Sequence, residues 1–160
     1  MEQRIARVPD IPIEVADVYL LISTLSRELF RKKVVQHVDP FEGKLIPNCH
    51  AVARAYARAF PQLSVHDGGF TQFIGGRPRV YYHSWVSFKS HPYFLIDLVP
   101  LAAVPYLSGP NLLYRDAWCY LEEFPLAPKL FAGIATHVDL YFRVIGELVL
   151  ELKERKETSA

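Results

Sequence analysis

Between Leu63 and Val99 the chain carries three strand-like runs separated only by short turn sequences, and this spacing limits the fold more than any other feature. Strands joined so closely pair antiparallel, because parallel neighbours need a long crossover. The runs are Leu63–Ile74, interrupted at Asp67-Gly68-Gly69, then Arg79–Phe88, rich in Val, Tyr, Trp and Phe, then Tyr93–Val99. Gly75-Gly76-Arg77-Pro78 marks the first turn and Ser90-His91-Pro92 a hairpin turn. Pro100 and Pro105 end the strand pattern.

Helical periods lie on both sides. Val15, Val18, Tyr19, Ile22, Leu25, Leu29 and Phe30 recur with helical spacing and predict a helix over 12–33. Asp39-Pro40, Gly43 and Pro47 then read as loop. A second helix is expected from Asn48 to Phe60. Asn48 is a favourable N-cap, alanine at 51, 53, 55, 57 and 59 gives high helix propensity, and Pro61 stops the run. Residues 101–128 hold prolines at 105, 110, 125 and 128, and read as loop with short helical pieces around Leu112–Glu123. A last helix is expected over about 132–155, with an apolar stripe of Val138, Tyr141, Phe142, Ile145, Leu148 and Val149. The expected fold is α+β: a small antiparallel sheet packed on a central helix bearing Cys49, flanked by N- and C-terminal helices, in one domain over 1–160.

The chemistry rests on three residues. Cys49 falls at the first helical position after its cap, where unpaired amides and the positive end of the helix dipole favour a thiolate. His83 lies inside Tyr81-Tyr82-His83-Ser84-Trp85-Val86, where alternation puts His83 and Trp85 on one face, Tyr82 and Ser84 on the other. Asp97 interrupts the apolar run Tyr93–Val99 and needs a partner, since burying an unpaired charge is costly. A register pairing Trp85 with Leu95 sets His83 directly opposite Asp97. The carboxylate then holds one ring nitrogen and leaves the other for Cys49. Thiol, imidazole and carboxylate make a nucleophile, its base and its orienter. His83 takes the thiol proton and later activates water or an amine, and the Cys49 amide contributes to an oxyanion site.

The pattern of Cys49 at a helix start, a β segment, His83-Ser84-Trp85-Val86, then Phe94-Leu95-Ile96-Asp97 resembles the transglutaminase-like cysteine peptidase superfamily over roughly residues 45–100. The resemblance implies a papain-like Cys-His-Asp core and acyl transfer through a Cys49 thioester: peptide hydrolysis, deamidation or transamidation. It implies a peptide or protein substrate with an amide or carboxamide, and no cofactor. Tyr82 and Trp85 are expected to wall a substrate cleft, and Gln36, upstream of Cys49, is the candidate oxyanion side chain. Two features depart from the family pattern: His50 directly after the cysteine, and Leu98-Val99-Pro100 in place of a short polar turn.

Other classes fare worse. The chain has 18 basic and 17 acidic residues, without the basic excess of a nucleic-acid binder. No window has the run of roughly 18 apolar residues needed to span a membrane, and the N-terminal residues lack the apolar core of a secretion signal, so a cytoplasmic location is expected. His37, His50, His66 and His91 match no compact zinc spacing, and no metal is expected. Cys119 reads as inert. The alternatives are a transglutaminase-like fold that has lost catalysis and binds proteins, an acyltransferase resembling the longer arylamine acetyltransferases, and a purely structural protein.

Overall fold

The computed structural model describes residues 11–32, 36–38, 45–99, 111–114 and 133–160. A short 3-10 turn, Ile13–Val15, leads into α1 (Ala16–Lys32). Two three-residue strands, β1 (Gln36–Val38) and β2 (Leu45–Pro47), pair antiparallel, with Gln36 across from Pro47. They precede α2 (Cys49–Ala59) and the strands β3 (Leu63–Ile74), β4 (Arg77–Phe88), β5 (His91–Asp97) and β6 (Asn111–Tyr114). The last element is α3 (Ile134–Thr158). β3, β4, β5 and β6 form one antiparallel sheet in chain order. The chain is therefore α+β. Among the described residues no helix is long and apolar enough to cross a membrane.

The helices follow the expected periods and the strands differ in places; β5 begins at His91, so His91 and Pro92 lie in the strand and not in the expected hairpin turn. β3 runs unbroken through Asp67-Gly68-Gly69, because Gly68 pairs with His83 and Gly69 with Tyr82 along a continuous ladder. A glycine beside an imidazole suits a strand where another group must approach closely. The β3–β4 turn is only Gly75-Gly76, both with positive φ (57° and 75°), which leaves Arg77 and Pro78 inside β4. Asn111–Tyr114 forms the edge strand β6 where short helical pieces were expected. Leu112 and Leu113 satisfy their backbone groups against Ile96 and Leu95; the rest of Leu112–Glu123 lies outside the described residues. β1 and β2 occupy part of a segment read as loop.

The helices pack in order of their buried faces. Ile22, Leu25, Ser26 and Leu29 make the inner stripe of α1. Tyr141, Val144, Ile145 and Leu148 make that of α3, which α1 packs against. α2 lies between α3 and the β3–β4 ribbon, so it is covered on two sides. Its alanines explain how. Ala51, Ala53 and Ala55 are all buried, and their short side chains let two neighbours approach one helix closely. The aromatic residue of α2, Tyr56, is fully buried and accepts a hydrogen bond from Ser26 Oγ at 3.0 Å. Each large apolar side chain buried in this core contributes on the order of 1.5–3 kcal/mol.

Candidate active site

Residue 48 starts the site. Asn48 is extended (φ −72°, ψ 110°), and its side-chain oxygen accepts from the amides of His50 (3.0 Å) and Ala51 (3.2 Å). The Asn48 amide donates to Tyr141 Oη at 3.1 Å, so α3 pins the entry to α2. This cap fixes Cys49 as the first residue of the helix, buried at 6 % exposure.

His83 and Asp97 are both fully buried, and His83 Nε2 lies 2.9 Å from Asp97 Oδ2. The second carboxylate oxygen accepts from the Val99 amide at 3.2 Å. The strands meet in a register different from the one expected. Val86 pairs with Ile96, and a bulge intervenes before Phe88 pairs with His91. Carried one residue on, this pairing sets Asp97 across from Trp85, so His83 meets Asp97 on the diagonal. The bulge supplies the offset. Because the offset is two residues, every side chain keeps its face.

His83 and the Cys49 thiol also act on each other electrostatically. Burial alone raises the Cys49 pKa; the His83 charge overcomes it, helped by hydrogen bonds from His50 and His83, and brings the thiol down to about 5. Burial alone lowers the His83 pKa; the Asp97 and Cys49 charges overcome it and push the imidazole up to about 10. Both directions favour a thiolate–imidazolium pair at neutral pH.

The other site residues expected from the sequence fall in different places. Trp85 is buried, tilted 33° to the His83 ring at 6.2 Å and stacked on His66 at 6.4 Å. It backs the imidazole from the core. Tyr82 is 54 % exposed, on the strand face opposite His83. Gln36 lies in β1, and its side chain is outside the described residues, as are the His37 side chain and Cys119. His66 Nε2 meets Ser87 Oγ at 2.6 Å, and His91 Nδ1 meets Ser90 Oγ at 2.8 Å.

Four residues given no catalytic role from the sequence, His50, Ser84, Asp67 and Arg54, form a hydrogen-bonded chain that starts at the residue after Cys49. His50 Nδ1 lies 2.7 Å from Ser84 Oγ, and Ser84 Oγ donates to Asp67 Oδ1 at 2.5 Å. Asp67 is held two-pronged by Arg54, at 3.1 and 2.6 Å. Arg54 also donates to the His50 carbonyl at 3.1 Å. The signals were weak: Asp67 read as a strand break, and Ser84 as a neighbour of His83. Tyr141 read as one residue of an apolar stripe, yet its hydroxyl, pushed up to about 12 by burial and then by the Cys49 charge against the Asn48 hydrogen bond, anchors the helix start.

No family model matches this chain, and neither a curated protein nor a solved structure does.

Proposed function

We propose that the chain is a cysteine-dependent acyl-transfer enzyme with a transglutaminase-like, papain-like core. The Cys49 thiolate attacks the carbonyl carbon of an amide or carboxamide, and the C–N bond breaks. His83 gives its proton to the departing nitrogen. Asp97 holds the ring by Nε2 and stabilises its charge. Water or an amine then opens the thioester, giving hydrolysis, deamidation or transamidation. Asn48 already occupies the His50 and Ala51 amides, so the Cys49 amide is the donor at the helix start for an oxyanion. The observation that carries this function is the buried 2.9 Å contact between His83 and Asp97, with Cys49 on the same imidazole.

The experiment is alkylation of Cys49 by iodoacetamide against pH in a Cys119→Ser background. Wild type should react at a nearly constant rate from about pH 6 upward, while His83→Ala reverts toward an ordinary thiol and slows roughly 100-fold at pH 6.5. The same protein treated with p-nitrophenyl acetate should carry one acetyl group on Cys49 by intact mass. An ordinary thiol profile in wild type, with no acyl adduct, would sink this function. It would favour a binding module of the same fold, which the near-complete burial of Cys49 and His83 also suits.

A further inference from the structure

His50 has a hydrogen-bonded chain of its own, parallel to that of His83 and distinct from it. Its direction follows from proton counting. Asp67, paired with Arg54, is an acceptor. The single Ser84 hydroxyl proton goes to Asp67, so Ser84 Oγ must accept from His50 Nδ1–H. Nδ1 is therefore a committed donor, and Nε2 is the position left to exchange a proton. His50 directly follows Cys49 at the start of α2, and its presence favours the Cys49 thiolate.

The two imidazoles differ in what surrounds them. His83 is fully buried, with Nε2 held by the Asp97 carboxylate. A base must lie within reach of the proton it takes, and a fully buried ring is poorly placed to meet a second nucleophile arriving from solvent. His50 is only half-buried, and a hydroxyl separates it from a carboxylate already neutralised by a guanidinium. Among the described residues, the charged and titratable groups linked to it are Cys49, Asp67 and Arg54.

We propose that His50 is a second catalytic residue, which takes a proton from the water or amine that opens the Cys49 thioester, with Ser84 and Asp67 as positioning residues. This role rests on the acyl-transfer function proposed above. In hydrolysis, one water proton goes to His50 Nε2 and on to solvent. The water oxygen bonds to the thioester carbon, the C–S bond breaks, and its electron pair returns to sulfur. The remaining acid proton recharges any His83 that gave its own to a leaving amine, so the cycle closes without another reactant.

The test is p-nitrophenyl acetate turnover at pH 8, in the Cys119→Ser background, resolved into a burst of p-nitrophenolate (acylation) and a steady rate (deacylation). His50→Asn keeps an amide near Nδ1 for Ser84 and removes Nε2. It should leave the burst rate within about threefold of wild type and slow deacylation tenfold or more. Hydroxylamine, a nucleophile that needs no base, should restore deacylation to near the wild-type rate. Ser84→Ala should slow deacylation in part, and Ser84→Thr should recover it. If His50→Asn loses its circular dichroism spectrum, His50→Gln carries the same expectation. Deacylation at the wild-type rate in a folded His50 variant overturns the role, as does an equal loss of both phases. Wild type without a burst overturns the acyl-transfer function itself, so the two failures are distinguishable.

Discussion

Cys49 and His83 charge each other, and that pairing has a pH signature. The folded-state His83 pKa is raised from 6.5 to about 10, so its stabilisation is complete below 6.5 and is lost as pH rises through about 10. The folded-state Cys49 pKa is lowered from 9.0 to about 5, so its stabilisation is present above 9.0 and is lost as pH falls through about 5. Between 6.5 and 9.0 the opposing slopes cancel, and this pair leaves stability flat with pH. Below 6.5 the unfolded chain holds one more proton than the folded one, and stability should fall toward pH 5 by up to about 1.4 kcal/mol per pH unit. Cys49→Ala should flatten that acid flank relative to wild type, because His83 is then protonated in both states. Urea unfolding at pH 5.5 and 7.5 measures it; equal acid slopes in the two proteins would contradict the buried pair.

Helix α2 is the element on which the site depends, and its start is held from three directions. The Asn48 side chain takes two helix amides, Tyr141 takes the Asn48 amide, and Arg54 ties the first turn to Asp67 on β3. Farther along, Arg58 reaches Asp139 at 2.6 Å and lies 4.1 Å over the Phe142 ring. Both ion-pair partners are exposed, so this contact adds little stability. Asn48→Ala should cost about 1 kcal/mol in urea unfolding by uncovering the two amides. Asn48→Asp should keep the cap and retain most of that stability. It should nevertheless slow Cys49 alkylation at pH 6, since a carboxylate one residue away disfavours a thiolate. An Asp variant that alkylates as fast as wild type would separate the cap from the electrostatics of the thiol. The alanine-rich pattern made this helix legible in the sequence, cap included. The hold on its first amide was not legible, because Tyr141 is distant in sequence and its phenol looks like any other member of an apolar stripe.

Across the molecule, α3 packs on α2, which in turn meets the β3–β4 ribbon. Leu148 is 1 % exposed and Leu150 is 61 % exposed on the same helix. Leu148→Ala should destabilise by about 2–5 kcal/mol through lost burial and a cavity, while Leu150→Ala should stay within about 0.5 kcal/mol of wild type. Chemical denaturation of both variants reads the difference, and equal costs would contradict the packing of α3 on α2. The distinction between sequence and tertiary structure follows the range of the forces involved. Cap chemistry, alanine propensity, alternation and turn glycines act within a few residues, so the Cys49 helix, the β4 strand holding His83 and the apolar strand holding Asp97 were all readable from the chain. The bulge that sets His83 diagonal to Asp97, the edge strand at Asn111–Tyr114, and the path from Arg54 through Asp67 and Ser84 to His50 were not. Each depends on which side chain a packed neighbour presents, and that is decided only when α2, α3 and the sheet close around one core.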